Sequence, residues 1–181
     1  AAWPRRLRLG YVSPDFRSHV VSSFMWPLLA RHDRDRFEVH CYYTNRIVDD
    51  VTAGLRALAE HWVDCAAFSE TALAARIRAD RIDILVDLAG HTGKSRLGTF
   101  ALRPAPVQVT YLGYPNTTGL RAVDYRITDA WADPPGEADA LHVEKLLRLP
   151  LTFLCYRPGP DVVPVTPAPA IMEWTALALA V

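Results

Sequence analysis

The sequence contains little cysteine and almost no lysine. Its three cysteines, Cys41, Cys65 and Cys155, are widely spaced and include no C-x-x-C pair, which excludes a disulfide framework and a cysteine-based zinc site. Cys41 lies in an apolar run and is expected to be a small core residue. Only Lys94 and Lys145 among the 20 basic residues are lysines, and we attribute this bias to genomic base composition rather than to an arginine-specific function.

The sequence also lacks net charge and long apolar runs. Its 20 basic residues balance its 20 acidic residues, so bulk charge indicates neither a nucleic-acid partner nor a membrane surface. No apolar run reaches transmembrane length, and a strand-like segment begins where a signal peptide would stand. We therefore expect a cytoplasmic protein that binds neither nucleic acid nor a membrane.

Short β-branched runs alternate with longer amphipathic runs along most of the chain. The predicted strands are residues 7–12, 37–43, 62–65, 82–88, 107–112 and 125–128. Helical spacing covers 21–31 and 50–61, and Ser69 is a good N-cap for a third helix. This alternation predicts an α/β fold with a Rossmann-like parallel sheet flanked by helices. The run 82–88 is apolar on both faces and is expected to be central.

The composition changes after Tyr156. Residues 158–170 are rich in proline and predict an extended linker. Residues 171–181 form a short apolar segment without a partner of its own, which we interpret as the start of further polypeptide. We therefore divide the chain into a domain over 1–157, a linker over 158–170 and this final segment, and we favour a fragment over a complete protein.

Three polar loops rich in glycine or small residues follow predicted strands. They cover 13–20, 88–96 and 113–121, and are here named loop one, loop two and loop three. Ligands bind at the carboxyl ends of the strands in parallel α/β sheets. We therefore expect the three loops to converge on one site.

Loop one contains Asp15 and His19, four residues apart and just before a helix. An imidazole there would accept or orient a proton, and a carboxylate nearby would fix its tautomer and raise its basicity. The helix start at 20–23 offers free N–H groups to an anion or a sugar hydroxyl. The alternative is that Asp15 caps the turn and that His19 is a partly exposed loop residue.

Loop two contains glycines and several hydrogen-bond donors. Gly90 and Gly93 permit backbone angles closed to other residues and bring main chain close to a ligand. The donors are His91, Thr92, Lys94 and Ser95. Its spacing is not that of a P-loop, and no G-x-G-x-x-G follows the first strand, so a dinucleotide oxidoreductase is not supported. Two alternatives stay open: Asp87 anchors the loop or catalyses, and Lys94 contacts a ligand or is an exposed charge.

Loop three follows a strand with a proline-rich start. Gly113 lets backbone approach a ligand, Tyr114 offers a ring and a hydroxyl, and Pro115-Asn116 forms a turn. The residues that complete a small polar wall are Thr117, Thr118 and Gly119. Such a surface suits a sugar or a peptide, and the alternative is simply a tight turn.

The remaining histidines show no metal-ligand spacing, so no metal is expected. His32, His61 and His142 lie in polar contexts that predict solvated side chains. His40 alternates within a strand and is expected at the edge of the core.

Six segments, taken in order and spacing, resemble one family. They are GYVSPDFRSH, FEVHCYY, ILVDLAGHTG, ALRPAPVQVTYLGYPNTTG, VDYRITD and EKLLRLP. Together they are similar to the protein O-linked N-acetylglucosamine transferases, including the related plant growth-regulator proteins, and specifically to a bacterial member. The resemblance covers about residues 5–157, and the ALRPAP…LGYP string is its most specific part.

The resemblance implies a GT-B glycosyltransferase with two Rossmann-like lobes, of which this chain is the N-terminal lobe. The family transfers N-acetylglucosamine from UDP to protein Ser or Thr hydroxyls, with inversion and without a metal or another cofactor. The implied partners are UDP-GlcNAc and protein or peptide acceptors. A C-terminal lobe and tetratricopeptide repeats are expected elsewhere in the full protein.

The resemblance also assigns site residues. Asp15 and His19 match the family's catalytic aspartate and histidine near the acceptor hydroxyl. The implied substrate-binding residues are Val20, Val21, His91, Thr92, Gly93, Lys94, Leu112, Gly113, Tyr114 and Pro115. Val20 and Ser23 stand where the family often has a proline and a second histidine. The chain is thus expected to be the acceptor-side half of the enzyme, inactive alone; the alternative is a non-catalytic sugar- or protein-binding module.

Overall fold

Seven parallel strands form a single sheet with helices on both faces in the computed structural model, which describes residues 5–156 and residue 158. The strands are β1 Leu7–Ser13, β2 Phe37–Tyr43, β3 His61–Asp64, β4 Ile84–Asp87, β5 Val107–Thr110, β6 Tyr125–Asp129 and β7 Lys145–Leu149. The helices are α1 Val20–Arg31, α2 Asp50–Leu58, α3 Glu70–Ala79, α4 Leu97–Ala101 and α5 Glu137–Ala140. This architecture confirms the predicted Rossmann-like fold. Except for residue 158, the predicted linker over 158–170 and the segment 171–181 lie outside the described residues.

The strand order is β3-β2-β1-β4-β5-β6-β7, with every neighbouring pair parallel. The chain therefore winds one way from β1 to β3 and the other way from β4 to β7. This reversal opens a crevice at the carboxyl ends of β1 and β4, which is where such sheets bind ligands.

The two faces of the sheet have separate hydrophobic cores because side chains alternate along each strand. One core joins Met25 and Leu29 of α1 to Val39 and Cys41 of β2. The other joins Leu73 and Ile77 of α3 to Tyr42 and Leu85, among others. Leu85 and Val86 are buried on opposite faces of β4, which confirms that this strand is central.

Helix caps and one missed strand show where local sequence was informative. The Ser69 hydroxyl accepts a hydrogen bond from Ala72 N–H at 3.1 Å and caps α3, as predicted. The helix predicted over 50–61 ends at Leu58, and His61 already begins β3. β7 was not predicted, because its alternating exposure and its two basic residues resemble a loop. Among the described residues, no helix has both the length and the apolar character needed to cross a membrane.

Candidate functional site

The three predicted loops meet around one cavity of about 310 Å³ at the carboxyl ends of β1 and β4. Loop one contributes Pro14, Asp15, Arg17 and His19, loop two contributes Thr92, Gly93 and Lys94, and loop three contributes Gly113; the other lining residues are Val21, Asn45 and Ile47. The expected convergence of the loops is therefore confirmed. We name this space the loop cavity.

The backbone of α1, and not Asp15, holds the His19 ring. His19 is the N-cap residue of α1, and its Nδ1 accepts a hydrogen bond from Val21 N–H at 3.3 Å. The neutral imidazole therefore carries its proton on Nε2. The nearest Asp15 oxygen lies 3.8 Å from Nδ1, which is too long for a hydrogen bond. The expectation that Asp15 fixes the tautomer is thus wrong for this geometry.

The start of α1 offers fewer free donors than its sequence indicated. Val21 N–H donates to the His19 ring, and Ser22 N–H donates to the His19 carbonyl at 3.0 Å. Two of the N–H groups expected to bind an anion are therefore already paired. Val21 lines the loop cavity, whereas Val20 is 63% exposed and does not line it.

The Asp15 carboxylate lies between two cationic or potentially cationic side chains. Arg17 Nη2 is 3.6 Å from one carboxylate oxygen, and His19 Nδ1 is 3.8 Å from the other. Its backbone is fixed on both sides: Asp15 N–H donates to Ser13 Oγ at 3.0 Å, and Ser22 Oγ donates to Asp15 O at 2.7 Å. The turn is therefore held without the carboxylate, which remains available at the cavity wall.

Loop two is anchored by Asp87, the last residue of β4. Its buried carboxylate accepts hydrogen bonds from Ala89 N–H at 3.1 Å, Gly90 N–H at 2.8 Å and the Thr110 hydroxyl at 2.9 Å. Burial raises the pKa of Asp87, and these hydrogen bonds oppose that effect. Of the two roles left open by the sequence, the geometry supports the anchor.

Lys94 is bound to another loop. Its Nζ donates to Asn45 Oδ1 at 2.7 Å, and its backbone has a positive φ of 62°. The ammonium is therefore not simply a solvated charge on a turn. Gly90 also has a positive φ, 53°, whereas the φ of Gly93 is not in the left-handed range. The prediction that a glycine is required for the backbone angle therefore holds for Gly90 and not for Gly93.

Gly113 serves the contact between loops three and two. A Cβ there would lie 2.0 Å from the Leu88 carbonyl oxygen, so only glycine allows this approach. Leu112 precedes it with a positive φ of 64°. Gly113 lines the loop cavity, but the close approach that demands a glycine is to Leu88. The prediction that the glycine makes room for a ligand needs this correction.

The polar residues of loop three bind each other rather than facing the loop cavity. Glu144 accepts hydrogen bonds from Thr117 Oγ1 at 2.7 Å and Thr118 N–H at 2.7 Å, and it also pairs with the Thr118 hydroxyl. Burial alone would raise the pKa of Glu144, but the hydrogen bonds from both threonines lower it below its ordinary value. The predicted polar wall is therefore mainly an internal network.

A buried guanidinium supports the turn of loop three. Arg126 is 2% exposed, and its Nη1 donates to Tyr114 O at 2.9 Å. The Tyr114 ring contacts His91 edge-on at 5.3 Å, and His91 Nε2 lies 2.9 Å from Thr118 O. Leu112, Tyr114, Pro115 and His91 thus do not line the loop cavity.

Asn45 on the loop after β2 was missed by sequence reasoning. Its buried side chain donates to Pro14 O at 3.0 Å, while its Oδ1 accepts from Lys94. It therefore connects loop one with loop two. The same strand-end rule that selected the other loops should have included this one, since Asn45 is the second residue after β2.

A second cavity of about 500 Å³ adjoins the first and has a basic wall. The two share Asn45, Ile47 and Lys94, and the second also includes Arg46 and Arg96. Arg96 is occupied by the carbonyl of Phe68 at 3.0 Å. The second cavity therefore continues the loop cavity and adds the Arg46 and Arg96 side chains to its wall.

One expectation about the histidines is wrong. The His142 side chain is 4% exposed rather than solvated, and its Nδ1 lies 2.8 Å from Ala138 O. Sequence spacing indicated no metal ligands, yet the β2–β3 register brings Glu38, His40 and His61 together within the described part of the chain.

Comparison with known proteins decides the family. The model of glycosyl transferase family 41 matches residues 2–157, a range that contains all the lining residues of the loop cavity. This chain belongs to glycosyl transferase family 41.

Relatives of this family 41 chain are found in plants, animals and bacteria. It is 50% identical over 177 residues to a probable UDP-N-acetylglucosamine–peptide N-acetylglucosaminyltransferase, SPINDLY, of Solanum lycopersicum, covering 92% of this chain and 18% of that protein. It is 44% identical over 153 residues to the UDP-N-acetylglucosamine–peptide N-acetylglucosaminyltransferase of Caenorhabditis elegans, covering 82% of this chain and 13% of that protein. The chain thus spans less than a fifth of these relatives.

A solved structure has the same fold. A mutant of the O-GlcNAc transferase of Thermobaculum terrenum superposes with a TM-score of 0.86 at 47% identity. The match covers 91% of this chain and 31% of that one. It supports the assignment of this chain to one lobe of a glycosyltransferase fold.

Proposed function

We propose that the protein containing this chain transfers N-acetylglucosamine from UDP-GlcNAc to Ser or Thr hydroxyls of proteins. In this proposal the chain is the N-terminal lobe of a GT-B enzyme and forms the acceptor-side half of the site. The observation that carries the proposal is the convergence of Asp15, His19 and loops two and three on one cavity, in a family 41 chain. The relatives' names supply the donor and the reaction.

The geometry favours a positioning role for His19. With Nδ1 accepting from Val21 N–H, the neutral ring presents Nε2–H as a donor. That donor would orient the acceptor oxygen for attack on the anomeric carbon, as the glycosidic bond to UDP breaks. Holding the two reactants in line contributes to the rate through proximity. For Nε2 to accept the acceptor's proton instead, the ring would have to move its own proton to Nδ1 and give up the helix cap.

Asp15 adds negative charge beside that acceptor position. Its carboxylate is mostly buried, with 13% of the side chain exposed, so its field is less screened than that of a surface carboxylate. The Asp15 carboxylate is therefore suited to stabilise the positive character that the acceptor oxygen gains as it bonds to the anomeric carbon, until its proton leaves to solvent or to a group outside this chain.

The proposal places the remaining chemistry elsewhere in the protein. Departure of UDP develops negative charge that preorganised donors must stabilise. Lys94, the lysine on the loop cavity, is already bonded to Asn45. We therefore assign the donors for UDP to a C-terminal lobe, and acceptor recognition to preceding tetratricopeptide repeats. In this scheme the reaction needs no metal or other cofactor. We further propose that the protein is bacterial and cytoplasmic.

Sugar transfer by the full-length protein tests the assignment of loop one. We expect His19→Ala and Asp15→Asn each to lower kcat by about 10²- to 10⁴-fold, the range for loss of a positioned proton-transfer or hydrogen-bonding group. UDP binding should be retained, because neither residue contacts UDP in the proposed arrangement. The matched control is Glu60→Gln, a charge removal at the opposite, amino end of the strands, which should leave the rate unchanged.

The donor is tested with a panel of UDP- and GDP-linked sugars and peptide acceptors, with product mass as the readout. Transfer from UDP-GlcNAc is expected. Transfer of a different sugar would contradict the donor assignment, and unchanged rates in both variants would contradict the role of loop one. If the full-length protein transfers no sugar from any donor, the non-catalytic binding module is the better description. The isolated 181-residue chain should bind UDP weakly or not at all in calorimetry.

A further inference from the structure

Three side chains on the β2–β3 edge of the sheet form a cluster that the loop cavity does not use. His40 and His61 are register partners on neighbouring parallel strands. Glu38 lies two residues before His40 and therefore on the same face of β2. The potential ligand atoms of the three residues all lie within 4.8 Å of one another.

One carboxylate oxygen lies between the two imidazoles. Glu38 Oε1 is 3.0 Å from His40 Nε2 and 3.1 Å from His61 Nε2. Both rings therefore direct their Nε2 atoms towards Glu38 Oε1. With metal–ligand bonds of about 2.0–2.2 Å, tetrahedral ligands lie roughly 3.3–3.6 Å apart. The two measured separations are a few tenths of an ångström shorter, so a small outward shift of the ligand atoms would accommodate an ion.

The other Glu38 oxygen is already occupied. Arg8, the register partner of Glu38 on β1, places its Nε 3.4 Å from Glu38 Oε2. This contact leaves Oε1 for the histidines. Residues that orient a ligand in this way are a regular feature of metal sites.

The cluster has a buried side and an open side. The exposed fraction of the side chain is 7% for His40, 21% for Glu38 and 49% for His61. Two ligands are therefore held in place, while the third can adjust from solvent. Adjustment is needed, because the two rings are stacked with centroids 4.1 Å apart and planes inclined by 23°. A turn of the half-exposed His61 ring would direct its nitrogen more nearly towards that of His40.

The donor set selects the cation. Calcium and magnesium prefer oxygen ligands alone, whereas imidazole nitrogen suits zinc and its neighbours. Two histidines and one glutamate are a known zinc ligand set, with water in the fourth position. We propose that Glu38, His40 and His61 form a zinc-binding site that links the edge strand β3 to β2.

Titration of the tag-free 181-residue chain with Zn²⁺, after chelator treatment and buffer exchange, tests the site. Calorimetry should give one zinc ion per chain, and the cobalt derivative should show the visible absorption of tetrahedral Co²⁺. Loss of an outer-shell partner typically weakens a metal site about 10- to 100-fold, so loss of a ligand should weaken zinc binding by about 100-fold or more. His61→Gln and Glu38→Gln remove one ligand each.

A matched histidine variant controls for non-specific binding. His19→Gln also removes a histidine next to a carboxylate, and it should bind zinc like the wild type. Zinc should raise the unfolding midpoint of the wild type and of His19→Gln, but not that of His61→Gln, since a ligand stabilises the state that binds it. His61 is half-exposed, so this variant should remain folded even if Glu38→Gln does not, and circular dichroism would confirm this.

The proposal fails on either of two results. The first is the absence of stoichiometric zinc binding by the wild-type chain, which would leave a hydrogen-bonded triad without metal affinity. The second is zinc binding of equal strength in the wild type, His61→Gln and Glu38→Gln.

Discussion

The two ends of the parallel sheet use charged residues differently. At the amino ends, arginines and carboxylates form close pairs: Arg5 with Asp83 at 2.6 Å and Arg6 with Glu60 at 2.7 Å. At the carboxyl ends, Asp15 lies 3.6 Å from Arg17 and 3.8 Å from His19. The amino-end charges neutralise each other, whereas the charges around Asp15 are loosely paired and face the loop cavity.

The carboxyl-end loops are instead held by hydrogen bonds to main chain. Asp87 binds two backbone N–H groups of loop two, Asn45 binds the Pro14 carbonyl, and Arg126 binds the Tyr114 carbonyl. Side chains that fix the backbone leave the cavity wall free for a ligand. The comparison separates residues that stabilise the fold from residues placed for chemistry, a division expected at functional sites.

The largest effect on stability is expected from Gly113→Ala at the carboxyl end. The new methyl group would meet the Leu88 carbonyl oxygen at 2.0 Å, and backbone cannot yield as a flexible side chain does. Overpacking of this kind typically costs 1–3 kcal/mol and occasionally more, so we expect a loss of about 3 kcal/mol. Chemical denaturation of the 181-residue chain measures the free energy of unfolding.

Gly93→Ala is the matched control on the same cavity. A Cβ at Gly93 would have no heavy atom within 4 Å, and its φ is not in the left-handed range. We expect its free energy of unfolding to stay within about 0.5 kcal/mol of the wild type. Equal losses in both variants would show that the contact between loops two and three does not hold this end of the sheet.

A smaller but still large effect is expected from Asp87→Ala. The substitution leaves the N–H groups of Ala89 and Gly90 and the Thr110 hydroxyl without their buried acceptor. Each buried group left unpaired costs about 1–3 kcal/mol, but relaxation and water entry reduce the sum, so we expect a loss of about 2.5 kcal/mol.

Asp83→Ala is the matched substitution at the amino end of β4, the strand that Asp87 ends. Asp83 binds the exposed Arg5 side chain and also accepts from Arg8 N–H at 2.8 Å. The Arg5 side chain can turn to water and exposed ion pairs contribute little, so the main loss is the acceptor of the part-buried Arg8 N–H, and we expect about 1 kcal/mol. A loss for Asp83→Ala as large as that for Asp87→Ala would remove the proposed difference between the two ends of the sheet.

Most of the fold could be predicted because its signals are local. The last residues of β1, β2, β4 and β5 are buried one after another, as expected for strands covered on both faces, and β-branched and aromatic residues are frequent among them. β7 was missed because it lies at the edge, where its exposed residues and charges imitate a loop. The end of α2 was misplaced because edge strand β3 begins only three residues after it.

The sequence could predict which loops form the site, but not which partners their side chains bind. The strand-end rule located loops one, two and three, but the partners of their residues come from distant parts of the chain. Glu144 binds Thr118 across 26 residues, and Lys94 binds Asn45 across 49. The His40–His61 contact likewise depends on strand register. No spacing rule along one segment contains such information.

An effect of similar size distinguishes the amino end of the sheet by its dependence on pH. The Glu60 carboxylate is bonded to Arg6, Arg34 and Val39 N–H at the amino end. Burial acts to raise its pKa, but these partners dominate and lower the pKa from 4.5 to about 2. Because the folded pKa lies below the unfolded value, the stabilisation is fully present above about pH 5 and is lost as the pH falls towards 2.

Allowing for solvent screening of this part-exposed group, we expect Glu60→Gln to lose about 1 kcal/mol at pH 7. The difference between wild type and variant in chemical denaturation should shrink between pH 5 and pH 3, while sugar transfer at pH 7 stays unchanged. If the difference in the free energy of unfolding between wild type and Glu60→Gln does not change with pH, the Glu60 charge does not stabilise the fold, and Arg6, Glu60 and Arg34 act through packing alone. The proposed contrast between paired charges at the amino end and loosely paired charges around Asp15 would then have no effect on stability.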